Sequence, residues 1–187
     1  MTIVETTLPG YRSGRWTPDP VHSEVGFSVR HLMVSKVRGR FARFEADLTT
    51  ADDPLASTLQ ASVDLASIDT GDAQRDEHLR SADFLDVERY PTLTYRSTSI
   101  RPDGDDFVVD GELSLHGVTK PVSLRLEVHG FQNSPFGDTR AGFTATTEID
   151  RRDFGIEFNA PLEGGGVLVG NKVEISIEIE AVLDDAV

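Results

Sequence analysis

Three side chains able to move a proton or hold an anion crowd one turn of the chain: Arg75, Asp76 and His78, in the run RDEHL. Residues three apart on a helix share a face, so Arg75 and His78 together suit an anionic group. Asp76 and His78 would be the proton-transfer pair of an enzyme. A helix turns about 100° per residue, however, which sets Asp76 toward Arg80 rather than His78. As ordinary surface residues the three would be helix-face pairs and loop anchors of little energetic weight. Their positions require a helix. Asp72 or Thr70 is the N-cap, and Asp72 to Arg80 is polar and free of β-branched residues. A helix this short does not stand alone in water, so it must dock, and Leu79, Phe84 and Leu85 are the side chains available for docking.

Elsewhere the chemistry is sparse. The five histidines (His22, His31, His78, His116 and His129) form no HExxH pair, and HSE at His22 to Glu24 lacks the downstream cysteines of a zinc deaminase. Histidines so placed bond to backbone groups at strand ends and turns. There is no GxSxG, phosphate-binding loop or dinucleotide glycine pattern. Gly164, Gly165, Gly166 and Gly170 follow Pro161 and read as a flexible hairpin. Neither a metal nor a cofactor is called for. Arg30, Lys36, Arg38, Arg40 and Arg43 lie in fourteen residues without an acid. Near a cavity mouth such cations would hold an anionic head group; on an outer face they would pair with Glu174 to Glu180 or with Asp110 and Glu112.

The elements around the helix alternate with period two, the mark of half-buried strands. Val25, Phe27 and Val29 keep one parity, then Val37, Gly39 and Phe41, after which it flips to Phe44, Ala46 and Leu48. A flip without a turn signal predicts a β-bulge near Ala42 and Arg43. Leu59 to Leu65, Leu93 and Tyr95, Phe107 to Leu115, Val122 to Val128 and Phe143 to Ile149 continue the series. Val173, Ile175, Ile177 and Ile179 close it, with glutamates between. About eight strands, each apolar on one face, with no βαβ repeat, predict an antiparallel sheet. Periodicity does not separate a barrel from a sandwich.

The 187 residues are enough for one domain with a real core. Eighteen basic against 32 acidic residues leave a net charge of −14, which argues against nucleic-acid binding. No stretch reaches the ~20 apolar residues of a membrane helix, so stable membrane insertion is not expected. The N-terminus lacks the basic start and apolar stretch of a signal peptide; the expectation is a cytoplasmic protein. Residues 1–14 show no periodicity and read as a flexible lead-in to one domain over 15–184.

Four motifs, in order, resemble those of the YceI-like family: DPVHSEVGFSVRHLMVSKVRGRF (Asp19 to Phe41); SIDT, RDEHL and SADFLDVERYP (Ser67 to Pro91); GELSLHGVTKPVSL (Gly111 to Leu124); and RRDFGI (Arg151 to Ile156). The resemblance implies an all-β, eight-stranded antiparallel, lipocalin-like barrel with one or two short helices. It also implies a polyisoprenoid or other long-chain lipid, isoprenoid or fatty, as ligand, and a homodimer as a partner state. On that fold the inward set Phe27, Val29, Phe41, Leu79, Phe84, Tyr95, Phe107, Leu113 and Leu115 would line a dry cavity, with Gly39 and Gly111 leaving room. Arg30, His31, Arg75, Asp76 and His78 would make polar contacts at its mouth. The expected role is binding or transport without catalysis. The alternatives are an enzyme acting on an isoprenoid in the same cavity and a partner-binding module with a filled core.

Overall fold

The computed structural model describes residues 8–185. Eleven strand segments appear in chain order: β1 (Gly14–Pro18), β2 (Glu24–His31), β3 (Ser35–Phe41), β4 (Phe44–Thr50), β5 (Thr58–Asp64), β6 (Ile68–Asp69), β7 (Thr92–Asp103), β8 (Asp106–Leu115), β9 (Val118–Asn133), β10 (Thr139–Asp150) and β11 (Val169–Leu183). A single α-helix, α1 (Ala73–Arg80), interrupts them among the described residues. All pairings are antiparallel.

The segments make eight staves. β1 and β2 are two halves of one broken strand, both paired with β11; β3 and β4 are halves of another, paired with β2 and β1 in turn. From β4 the sheet runs through β5, β7, β8, β9, β10 and β11, and β1 closes it by lying between β4 and β11. The result is an up-and-down antiparallel barrel, with the short β6 along the free end of β3.

The parity flip predicted near Ala42 and Arg43 is where β3 gives way to β4. The backbone donors freed by the break are satisfied by one residue: Ala42 N donates to Ser67 O at 3.2 Å and Arg43 N to Ser67 Oγ at 3.0 Å. The bend is therefore stapled to the turn after β5.

One end of the barrel is shut. Trp16, fully buried, donates from its indole N–H to Thr50 Oγ1 at 2.8 Å and meets Phe131 edge-on. Residues 1–7 of the expected lead-in lie outside the described residues; Tyr11, further along it, donates to Ala51 O at 2.6 Å and stacks against Phe131. The other end carries α1 and the turns that follow it. Asp72 caps the helix by accepting from Arg75 N at 3.0 Å, and Leu79, Phe84 and Leu85 dock it over the barrel's interior.

Most of the basic run faces outward in ion pairs: Lys36 with Glu174, Arg40 with Asp69 and Arg43 with Asp64. Exposed pairs like these contribute little stability each.

Candidate functional site

Two adjoining spaces lie inside and above the open end. The inner one, about 270 Å³, is walled by the apolar faces of the staves: Phe27 and Val29 of β2, Phe41 of β3, Leu113 and Leu115 of β8, and Val173 to Ile179 of β11, with Leu79, Phe84 and Leu85 as its roof. The outer one, about 420 Å³, is bordered by Arg30 and His31 at the end of β2, Gln74, Arg75 and His78 of α1, and Phe158 and Leu168 of the loop before β11. Phe27, Val29, Leu79, Phe84 and Val169 line both, so the apolar interior adjoins a polar mouth bordered by Arg30, Arg75, the two histidines and Asp72.

Three rings stand at that junction. His78, Phe84 and Phe158 meet pairwise in near-perpendicular contacts, with centroids 5.0, 5.1 and 5.1 Å apart, the geometry favoured by ring quadrupoles. His78 Nε2 also lies 2.8 Å from Asp83 Oδ2. Arg75 is held by Thr70: Nε donates to the hydroxyl at 2.8 Å and Nη2 to the carbonyl at 2.9 Å. Gly170 leaves room for Arg30, since a Cβ there would sit 3.1 Å from Arg30 Cβ.

Of the residues expected in the cavity, Phe27, Val29, Phe41, Leu79, Phe84, Tyr95, Leu113 and Leu115 line the inner space; of those expected at the mouth, Arg30, His31, Arg75 and His78 border the outer one. Two expectations are corrected. Phe107 is buried with the correct parity but lines neither space. Asp76 is buried beneath the helix and accepts from Thr70 N at 2.9 Å and from Thr70 Oγ1 at 2.5 Å, so it holds the chain's entry into α1 and does not border the mouth. The Asp76–His78 pair does not form, and His78 has Asp83 instead. Arg80, the partner expected for Asp76, donates to the carbonyls of Ala66 and Ile68.

The glycines also act otherwise than expected. A Cβ at Gly39 would overlap the Phe27 ring, and one at Gly111 the Tyr95 ring. The room they leave is already filled by aromatic side chains. Tyr95 reaches across β8 to donate to Val122 O of β9 at 2.9 Å, and burial pushes its hydroxyl up to about 12.

Phe158 and Arg151 belong to the site without having been singled out as site residues. Phe158 lies in an irregular stretch with no periodicity to mark it. Arg151 was visible only as part of a motif; it is buried at the cavity wall, where burial lowers its pKa. It donates to Ile156 O and Gly170 O, each at 2.9 Å, tying the turn after β10 to β11.

Among the described residues one trio of potential metal ligands comes together, Asp19, His22 and Glu180. Arg140 already stands among them, donating to Asp19 at 2.9 Å and Glu180 at 2.6 Å. The trio is the acidic side of an ion-pair network. His116 and His129 sit 3.0 Å from Phe154 O and 2.6 Å from Thr144 Oγ1.

A closed antiparallel barrel with an apolar interior and one capped, polar opening defines a lipocalin-like architecture. Residues 16–181 match the model of the YceI-like domain, and the chain belongs to that family. It is 42% identical over 137 residues to Protein YceI of Escherichia coli O17:K52:H18, covering 73% of this chain and 72% of that protein. Among solved structures, BcnA of Burkholderia cenocepacia aligns with a TM-score of 0.76 at 23% identity, over 87% of this chain and 98% of that one. A polyisoprenoid-binding domain from Saccharophagus degradans, described as implicated in plant cell wall breakdown, aligns at 0.68 and 17% identity, over 90% and 98% of the two chains. At such identities these two structures speak to the fold.

Proposed function

We propose that the protein binds a long-chain isoprenoid or fatty ligand, with the hydrocarbon in the inner cavity and an anionic or polar head among Arg30, His31, Arg75 and His78, and carries it without chemical change. The observation that carries this reading is the adjacency of the two spaces: an apolar slot and a polar mouth share the side chains of Phe27, Val29, Leu79, Phe84 and Val169. Together they fall in the range of ~300–1,000 Å³ common for ligand pockets. Each buried methylene contributes about 0.8 kcal/mol, so roughly ten of them give about 8 kcal/mol before the cost of association. The interior favours binding over chemistry because its polar groups are committed: every buried side-chain nitrogen and oxygen among the described residues has a hydrogen-bond partner. The Saccharophagus domain's description as polyisoprenoid-binding is in keeping with this ligand class.

Mass spectrometry of the purified protein, native and then after solvent extraction, tests the proposal. A stoichiometric polyprenyl or fatty adduct is expected. If the protein is apo, added prenyl lipid should raise the melting temperature, because a ligand at a hundred times its Kd stabilises by about 2.7 kcal/mol. No adduct and no shift would favour a filled-core module. In the enzymatic alternative His78 would pair with Asp83 in place of Asp76; incubation with a prenyl diphosphate should yield no new product that His78→Ala abolishes.

A further inference from the structure

The tip of the β2–β3 hairpin projects three consecutive apolar side chains. Leu32, Met33 and Val34 are 38%, 55% and 79% exposed. Leu32 and Met33 both hold positive φ, +52° and +60°, a conformation uncommon outside glycine. The tip is anchored, since Leu32 N donates to Leu168 O at 3.0 Å. It stands beside the mouth: His31, the residue before it, and Leu168, its anchor, both border the outer space. Exposed apolar residues in a cluster signal a contact surface.

The charge around the tip identifies what it contacts. The hairpin contains no acid between Glu24 and Glu45, in a chain of net charge −14. Lys36, Arg40 and Arg43 are in ion pairs, whereas Arg30 and Arg38 form none among the described residues. These two flank the tip on the outer face, next to Lys36 and Ser28 across the ladder. The acidic side chains on adjoining segments are Glu174, engaged by Lys36 and Ser28, Glu163 on the glycine loop that passes Met33, and Asp72, which borders the outer space with Arg30. An apolar tip flanked by unpaired guanidiniums matches a bilayer surface carrying anionic lipid, where the tip enters the boundary of head groups and acyl chains and the cations remain among the phosphates.

We infer that the Leu32–Val34 tip docks the protein reversibly on an anionic membrane surface, with the mouth of the barrel turned toward the lipid. The inference shares Arg30 with the proposed head-group site, whereas the Leu32–Val34 tip and Arg38 border neither space and carry it independently of the ligand. Docking of this kind is peripheral. One apolar tip with two or three cations gives weak, salt-sensitive attachment, which suits a protein that must leave again.

Co-sedimentation with vesicles tests it, using phosphatidylcholine alone and phosphatidylcholine mixed with phosphatidylglycerol. The protein should sediment with the mixed vesicles at low salt and remain in solution with the neutral ones. Arg30→Gln and Arg38→Gln should each weaken partitioning about fivefold, and Leu32→Ser with Met33→Ser should abolish it. Phe136→Ser, in the β9–β10 hairpin at the opposite end and 88% exposed, should change nothing. Circular dichroism of each variant establishes that the fold is retained. In Met33→Trp, tryptophan emission should shift to the blue on mixed vesicles. Wild-type protein that ignores mixed vesicles, or a Leu32→Ser/Met33→Ser variant that binds as wild type does, overturns the proposal. So does a tip whose substitution dissociates a dimer in solution while vesicle partitioning stays unchanged.

Discussion

Tyr95 and Gly111 show how a single side chain sets the shape of the interior. The ring lies across β8 because Gly111, on that neighbouring strand, presents no Cβ to it. Gly111→Ala should destabilise the protein by about 1–3 kcal/mol, the usual cost of overpacking, measured by urea unfolding. In a Tyr95→Leu background the same substitution should cost less but still destabilise, because the ring it strikes is gone while the Arg96 carbonyl oxygen, 2.6 Å from the added Cβ, remains. A second residue-scale consequence concerns pH. The hydrogen bond to Asp19 and the charge of Glu180 raise the pKa of His22, while His22 and Arg140 hold Asp19 well below the usual carboxylate range. Protonated His22 therefore favours the fold; this contribution is complete below 6.5, the unperturbed value, and disappears as pH rises through the raised one. Asp19 works in the opposite sense, contributing above its ordinary pKa and losing that contribution in strong acid. His22 is half exposed, so the effect is small. Melting temperatures from pH 5 to 9 should fall less steeply on the alkaline side in His22→Gln than in wild type.

At the scale of elements, the bend between β3 and β4 depends on Ser67. Its hydroxyl accepts from Arg43 N and donates to Asp64 O at 2.6 Å, in a residue that is buried. Ser67→Ala removes the acceptor of the partly buried Arg43 amide and should cost about 1 kcal/mol. Hydrogen exchange at Arg43 should accelerate while exchange in β9 and β10 does not. The helix follows the same logic. Its sequence is almost wholly polar, so it is held by contacts at its ends: Asp76 on Thr70, Arg80 on the carbonyls of Ala66 and Ile68, and Leu79 and Phe84 in the barrel. The histidine and arginine at the mouth are positioned by these anchors.

For the molecule as a whole, closure is the decisive step. Trp16 pairs with Leu48 on one side and Leu183 on the other, and so joins the two ends of the chain. Contacts this distant in sequence make folding slow compared with helical proteins of the same size. Trp16→Ala should cost about 3–5 kcal/mol and open the floor of the barrel, read by denaturant unfolding. Trp16→Phe should cost less, with the loss of the Thr50 hydrogen bond included. Among the described residues no helix is long and apolar enough to cross a membrane.

Alternation alone determined the strands, their inward faces and the bend at Ala42 and Arg43, because a period of two and a change of parity are local properties of the chain. The docking role of Leu79, Phe84 and Leu85 was equally legible, and of the two caps on offer, Asp72 and Thr70, the fold uses Asp72. What alternation left undecided was how the two ends of the sheet meet; a barrel and a sandwich share the same pattern, and the closing pair, β1 with β11, is a relation between residues more than a hundred positions apart. The site was similarly divided. Side chains on regular strands were placed by their parity, whereas Asp76, Phe158 and the partner of His78 were fixed by the turns around the helix and the loop before β11, which have no period. Glycine was open to two readings, as space for a ligand or space for a neighbour. Only the tertiary structure, by setting Phe27 over Gly39 and Tyr95 over Gly111, decided between them, because which side chain fills a gap depends on the strand beside it and not on the residues before and after.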